Sequence, residues 1–120
     1  YVNAGHTPPL AKINGNFEYL KTDSNLVISA MENFNYQSSK IYLKPEDRIF
    51  IYTDGVVEAQ NINEEFYGEG RLANVLNNNI VNPKENIEKI KADIDAFSIN
   101  APQFDDITML DVKFSAYKNQ

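Results

Sequence analysis

The sequence predicts a single α+β domain in which strands come first, two helices follow and a further strand ends the order. Three observations indicate this class. They are an Asn-Gly turn between two short apolar runs, a continuous apolar run at residues 48–52, and an amphipathic segment that begins at Asn82-Pro83. A chain of 120 residues suits one domain with a core of modest size.

The first predicted element is a β-hairpin. Residues 10–13 and 17–20 are joined by Asn14-Gly15-Asn16, and Asn-Gly readily adopts the left-handed conformation that tight hairpin turns require. Residues 22–35 show no clear period, so we expect a loop there with at most a short strand. From Tyr36 to Leu43 the alternation of polar and apolar residues becomes more regular.

The run at residues 48–52 predicts a central strand that is covered on both faces. It is followed by Asp54-Gly55, a dipeptide that favours a hairpin turn when apolar residues flank it. The residues from Val56 onward would make a short and poor returning strand. Asp54 is therefore either a turn residue or a carboxylate that the end of a buried strand presents for chemistry.

Two helices are predicted next. The second has the clearer start, because Asn82 can act as the N-cap and Pro83 suits the first helical position. The apolar stripes are Leu72, Val75, Leu76 and Ile80 in the first helix and Ile87, Ile90, Ile94 and Phe97 in the second. A last strand is expected over residues 107–114, with a bulge near Asp111.

Charge and composition exclude several functions. The formal net charge of −6 and the scattered basic residues argue against binding to nucleic acid or an anionic membrane. The absence of cysteine excludes disulfides, thiolate zinc sites and a cysteine nucleophile. No apolar run is long enough for a membrane span, so we expect a cytoplasmic protein. From the charge, we expect no nucleic-acid partner.

Candidate chemistry lies in the acidic residues where strands meet turns. Asp54 follows the central strand, and Asp105-Asp106 precede the last one. Carboxylates held in this way suit hard cations such as Mg²⁺ or Mn²⁺. The alternative is a hairpin aspartate and a separate solvated acidic turn. His6, the only histidine, cannot form a zinc site alone and is either a local loop residue or a neighbour of the site.

Taken together, four motifs resemble the C-terminal half of a metal-dependent PPM-type serine/threonine phosphatase. The resemblance is to the bacterial branch typified by the sporulation protein SpoIIE and the stress regulator RsbU. The motifs are Asn3-Ala4-Gly5-His6-Thr7-Pro8-Pro9-Leu10, Ile51-Tyr52-Thr53-Asp54-Gly55-Val56-Val57-Glu58-Ala59, Phe66-Tyr67-Gly68 and Phe104-Asp105-Asp106-Ile107-Thr108.

The resemblance implies an αββα sandwich, in which helices flank two antiparallel sheets and a two-metal site lies between the sheets. It also implies that Asp54 and Asp105 are catalytic residues that ligate Mn²⁺ or Mg²⁺. Secondary candidates near that site are Glu58, Gly55, Asp106 and His6. Paired cations would activate a water molecule for in-line attack on a phosphoserine or phosphothreonine.

One motif of the family has no counterpart, the Gly-Asp whose aspartate bridges the two metals in the N-terminal half. We therefore expect residues 1–120 to be the C-terminal portion of one phosphatase domain, with little activity alone. By resemblance, the substrate would be a phosphorylated anti-anti-sigma-type protein, and an N-terminal sensor or receiver domain and a homodimer are further expectations. The alternatives are a non-catalytic phosphoprotein-binding or dimerisation module with a degenerate phosphatase fold, and an unrelated α+β domain with two acidic turns.

Overall fold

The computed structural model of the protein describes residues 1–21, 32–78, 80–103 and 105–116. Its elements are β1 Leu10–Ile13, β2 Asn16–Tyr19, β3 Arg48–Tyr52, α1 Asp54–Val57, α2 Gly68–Asn77, α3 Pro83–Phe97 and β4 Met109–Lys113. This order confirms the predicted α+β class. The prediction for residues 22–35 falls largely outside the described residues, and residues 36–43 form no strand.

The strands form one antiparallel sheet in the order β2-β1-β3-β4. The predicted hairpin is confirmed, because β1 and β2 are joined by Asn14 with φ 59° and Gly15 with φ 113°. Positive φ at both central residues gives the turn a twist that matches paired strands. β3 lies inside the sheet, between β1 and β4, as the apolar run predicted.

Helices α2 and α3 pack on one face of this sheet and build the core. The predicted start of α3 is confirmed, since the Asn82 side chain accepts a hydrogen bond from the Glu85 N–H at 2.9 Å. α2 ends at Asn77, before Ile80 of the predicted stripe. The fully buried side chains include Leu10, Phe50, Tyr52, Leu72, Leu76, Ile90 and Ile94. None of the helices in the described ranges is long and apolar enough to cross a membrane.

The opposite face of the sheet is apolar and open along β4 and the end of β3. Ile51, Leu110 and Val112 are 39%, 52% and 46% exposed. The prediction that β3 is covered on both faces is therefore wrong for the described residues, because helices cover one face only. An apolar face of this kind is what a second sheet covers in a sandwich.

A buried ion pair joins β3 to β4. The guanidinium of Arg48 donates two hydrogen bonds to the Asp111 carboxylate, and the two side chains are 3% and 0% exposed. Arg48 also donates to the Val81 carbonyl, and the Asn86 amide donates to Asp111 at 2.7 Å. The pair thus also ties the start of α3 to the sheet.

This pair explains why the predicted bulge near Asp111 is wrong. β4 pairs with β3 without interruption, from Arg48 opposite Lys113 to Tyr52 opposite Met109. The sequence suggested a bulge because a polar residue stood where an apolar one was expected. Asp111 instead occupies the helix-facing side of a regular strand, since Arg48 and Asn86 satisfy its carboxylate there.

We predict that Asp111→Asn lowers the free energy of unfolding by about 3 kcal/mol or more, because Arg48 would remain buried without an opposite charge. Urea denaturation followed by circular dichroism measures this change. The matched control is Asp95→Asn, which removes an exposed partner of Lys91 and should cost less than about 0.5 kcal/mol. Equal losses in the two variants would contradict a structural role for the buried pair.

Candidate metal centre

The candidate centre begins where β3 leaves the sheet. After Tyr52 the chain turns at Thr53 into the single helical turn α1, so Asp54 and Gly55 start a helix rather than a hairpin. The Glu58 N–H donates to the Asp54 carbonyl at 2.8 Å. Residues four apart on a helical turn lie on the same side. Glu58 is thereby brought next to Asp54.

The segment that carries Asp105 and Asp106 is fixed to the same point. The Thr53 N–H donates to the Thr108 carbonyl, and the Thr53 hydroxyl donates to the Asp106 carbonyl, both at 3.0 Å. The Thr108 N–H donates in return to the Thr53 hydroxyl oxygen at 3.0 Å. One threonine therefore holds the residues before β4 against the end of β3.

Gly55 allows this close approach. A Cβ atom at Gly55 would lie 2.2 Å from the Asp106 carbonyl oxygen and 2.8 Å from its carbonyl carbon. Backbone atoms cannot move aside as the end of a flexible side chain can, so any larger residue would separate α1 from the Asp105-Asp106 segment. Gly55 was a secondary candidate from the sequence. It contributes to the site by leaving room for the Asp106 backbone.

Three carboxylates converge at this junction. Oxygen atoms of Asp54, Glu58 and Asp105 all lie within 4.8 Å of one another, and all three residues are exposed. We refer to these residues as the acidic trio. Because divalent cations bind oxygen at about 2.0–2.6 Å, oxygens up to roughly 5 Å apart can share one cation. The trio therefore fits a divalent cation, and the two acidic turns are not independent features.

The other secondary candidates lie close to these elements without joining the trio. Asp106 contributes its backbone carbonyl to Thr53, while its side chain is exposed. The His6 ring contacts the hydroxyl of Thr7, which in turn donates to the Tyr52 carbonyl at 2.6 Å. His6 is thus linked to the end of β3 through Thr7.

The electrostatics of the trio favour a cation. Within the described residues, none of its carboxylates forms an ion pair with Lys, Arg or His. Three neighbouring carboxylates without a counter-charge repel one another, and a bound cation relieves that repulsion. Tyr52 is no alternative acid or base, because burial raises the pKa of its hydroxyl to about 12 and keeps it neutral.

The fold matches that of PP2C-type phosphatase domains. It aligns with a solved structure of the PP2C phosphatase domain and a regulatory fragment of the cell fate determinant SpoIIE from Bacillus subtilis, with a TM-score of 0.77 and 19% identity. The alignment covers 94% of this chain and 33% of that one. The alignment establishes a PP2C-type fold, of which this chain forms one part.

The chain belongs to the SpoIIE family, because the sequence profile of Stage II sporulation protein E matches residues 1–115. It is 30% identical over 112 residues to Protein IcfG of Synechocystis sp. (strain ATCC 27184 / PCC 6803 / Kazusa), covering 93% of this chain and 18% of that protein. It is 34% identical over 58 residues to the phosphoserine phosphatase RsbP of Bacillus subtilis (strain 168), covering 48% and 14% respectively. The chain thus spans less than a fifth of these relatives.

We predict that Gly55→Ala weakens Mn²⁺ binding and lowers the free energy of unfolding by about 1–3 kcal/mol, because the added methyl group forces α1 away from Asp106. Isothermal titration calorimetry and urea denaturation measure the two effects. Gly70→Ala is the matched control, since a Cβ there meets nothing within 4 Å. That substitution lies within α2 and should be neutral or stabilising by about 0.5–1 kcal/mol. Similar behaviour of both variants would argue against the steric role of Gly55.

Proposed function

We propose that this chain supplies part of the metal centre of a serine/threonine protein phosphatase that hydrolyses phosphoserine or phosphothreonine on a regulatory protein. The observation that carries this proposal is the convergence of Asp54, Glu58 and Asp105 within 4.8 Å at the end of a central strand. Membership of the SpoIIE family supports the phosphatase class. The metal dependence is inferred from the geometry and chemistry of the trio.

In this proposal Asp54 and Asp105 are the principal ligands for Mn²⁺ or Mg²⁺, and Glu58 is the third. When bound, the cations would supply an activated water molecule and neutralise charge on the phosphoryl group. The protein's contribution is positioning: Thr53 fixes the two ligand segments to each other, and Gly55 lets them approach. Asp106 and His6 would act around this centre, the first through its backbone and the second through Thr7.

The cellular role follows by analogy with the relatives. We propose that the substrate is a phosphorylated anti-anti-sigma-type protein in a bacterial partner-switching pathway, and that the reaction takes place in the cytoplasm. The matched relative RsbP is a phosphoserine phosphatase, and the matched SpoIIE structure includes a fragment of a regulatory domain. We propose further that residues 1–120 are the C-terminal portion of one phosphatase domain, combined with an N-terminal sensor or receiver domain.

A second candidate is a non-catalytic module that binds a phosphoprotein or forms a homodimer. The open apolar face with Ile51, Leu110 and Val112 favours it, since such a face can pair with another copy. The two candidates differ in what the acidic trio does. A catalytic domain needs the trio for metal, whereas a degenerate module does not.

The metal proposal predicts that the chain binds Mn²⁺ and that Asp54→Asn or Asp105→Asn weakens binding at least about tenfold. Loss of a ligand should cost no less than loss of an outer-shell partner. Isothermal titration calorimetry measures the affinity. Glu18→Gln on the exposed edge of β2 is the matched control, because it removes one carboxylate far along the chain from the trio. Equal Mn²⁺ affinities in the unmodified chain and in all three variants would exclude the trio as the binding site.

For activity, we predict that the 120-residue chain with Mn²⁺ releases little or no phosphate from a phosphoserine peptide, because its trio provides only part of a two-metal site. A complete phosphatase domain that contains these residues should hydrolyse the peptide. Asp54→Asn and Asp105→Asn should abolish that hydrolysis, as measured by phosphate release. Full turnover by the chain alone would refute the partial-site proposal, and unchanged hydrolysis in both variants would favour the non-catalytic module.

A further inference from the structure

A recess of about 410 Å³ opens beside the acidic trio. It lies between the residues after α1, the end of α3 and the segment before β4, and Glu58 and Asp105 form part of its lining. A phosphoprotein whose phosphate reaches the trio would therefore place the neighbouring residues of its chain at the mouth of this recess. The volume is large enough for one long side chain.

The recess has an apolar floor and an aromatic wall. Ala59 and Ile107 pack against the core, and buried Ile94 belongs to it. Phe66 stands on the wall with 57% of its surface exposed. Its backbone is held in place, because its carbonyl accepts from the Arg71 guanidinium at 3.1 Å and the next residue, Tyr67, donates to the Ala59 carbonyl at 2.7 Å. An exposed phenylalanine on a fixed backbone can contact a ligand with little loss of conformational freedom.

The polar part of the recess is acidic. Among the described residues, its lining includes Glu58, Asp95 and Asp105 but no Lys, Arg or His. Asp95 pairs with Lys91 one turn earlier, and the two side chains are 59% and 49% exposed. Such an exposed pair is weak and can be exchanged for another cation.

A buried hydroxyl adds a second polar feature. Ser98 lines the recess, and its hydroxyl oxygen is shielded from solvent without a hydrogen-bond partner among the described residues. Because this oxygen is shielded, a donor group that enters the recess can reach it only if the surrounding residues shift. The apolar floor beside the exposed Asp95 carboxylate matches a side chain with an aliphatic stem and a cationic head.

We propose that this recess binds a Lys or Arg side chain that lies close to the phosphorylated residue of the substrate, and so selects phosphoproteins with a basic residue there. The proposal rests on the proposed phosphatase function. The aliphatic stem lies along Ala59 and Ile94, the cationic head pairs with Asp95, and the ring of Phe66 adds a cation–π contact. An acidic side chain at that position is repelled by Asp95, the carboxylate of the recess that does not belong to the trio.

The test uses the Mn²⁺-loaded chain and fluorescein-labelled phosphoserine peptides, with binding measured by fluorescence anisotropy. Lys, Leu or Glu is placed in turn at each of the two positions on either side of the phosphoserine. At one of these positions we expect the Lys peptide to bind roughly twofold to fivefold more tightly than the Leu peptide, the range that one exposed ion pair gives. The Glu peptide should bind most weakly.

Two variants on α3 separate the recess from general charge effects. Asp95→Asn should remove most of the preference for Lys over Leu. Glu88→Gln is the matched control, because it removes one carboxylate from the same helix outside the recess and should keep the preference.

The outcomes distinguish the recess from the function on which it rests. If phosphopeptides bind in a Mn²⁺-dependent manner but Lys, Leu and Glu peptides bind equally at all four positions, the recess proposal alone is overturned. If the preference survives in Asp95→Asn, the assignment to this recess is likewise overturned. If no phosphopeptide binds, or binding requires neither the phosphate nor Mn²⁺, this chain does not hold a phosphate through the trio, and the recess proposal fails together with that part of the proposed function.

Discussion

The ion pair between Arg48 and Asp111 fixes the alignment of β4 against β3, and the positions of the site residues follow from that alignment. A buried pair of charges stabilises a fold only when hydrogen bonds satisfy the remaining donors and acceptors. Here the Asn86 amide and the Val81 carbonyl satisfy them, and the Arg48 guanidinium lies 5.1 Å from the centre of the Phe17 ring. Five parts of the fold thus meet at this ion pair. They are β2, β3, β4 and the residue before the N-cap of α3, and α3 itself through the contact of Asn86 with Asp111.

The alignment of β4 with β3 determines the position of the acidic trio in two steps. Because Arg48 lies opposite Lys113 and Tyr52 opposite Met109, Thr108 falls beside Thr53 at the end of the pairing. Thr53 then holds the residues before β4 through its hydroxyl group. A slip of one residue would turn every side chain of β4 to the other face. It would bury Leu110 under the helices, expose Asp111 and move Asp105 away from Asp54.

Local signals in the sequence were sufficient to predict several elements of the fold. The Asn14-Gly15 hairpin and the Asn82-Pro83 start of α3 depend on the conformational preferences of a few adjacent residues, and both are found as predicted. The regular pairing of β4 at Asp111 and the conformation of Asp54-Gly55 depend on distant residues. No local pattern shows that Asp111 will meet Arg48, or that Gly55 will lie against the Asp106 backbone.

The candidate site shows the same division. Asp54 and Asp105 could be singled out because each stands where a strand meets a turn. Glu58 first entered through the family resemblance. Once α1 is known to be helical, its spacing of four from Asp54 supplies a physical reason for its place in the trio. No local sequence pattern predicted the recess beside the trio, because its lining comes from four separate stretches of the chain.

The two faces of the sheet differ in how far the described residues cover them. On the helix side, the core and the Arg48–Asp111 pair are complete within the described residues, so this side supplies its own stabilisation. On the other side, Ile51, Leu110 and Val112 remain open to water, although their composition is that of a covered layer. A second sheet against this face would bury the apolar side chains, and a sandwich is the arrangement that the PP2C fold provides. Under the proposed function, the same addition would complete the hydrophobic layer and supply the remaining metal ligands, so that assembly of the domain and of the proposed centre would be coupled.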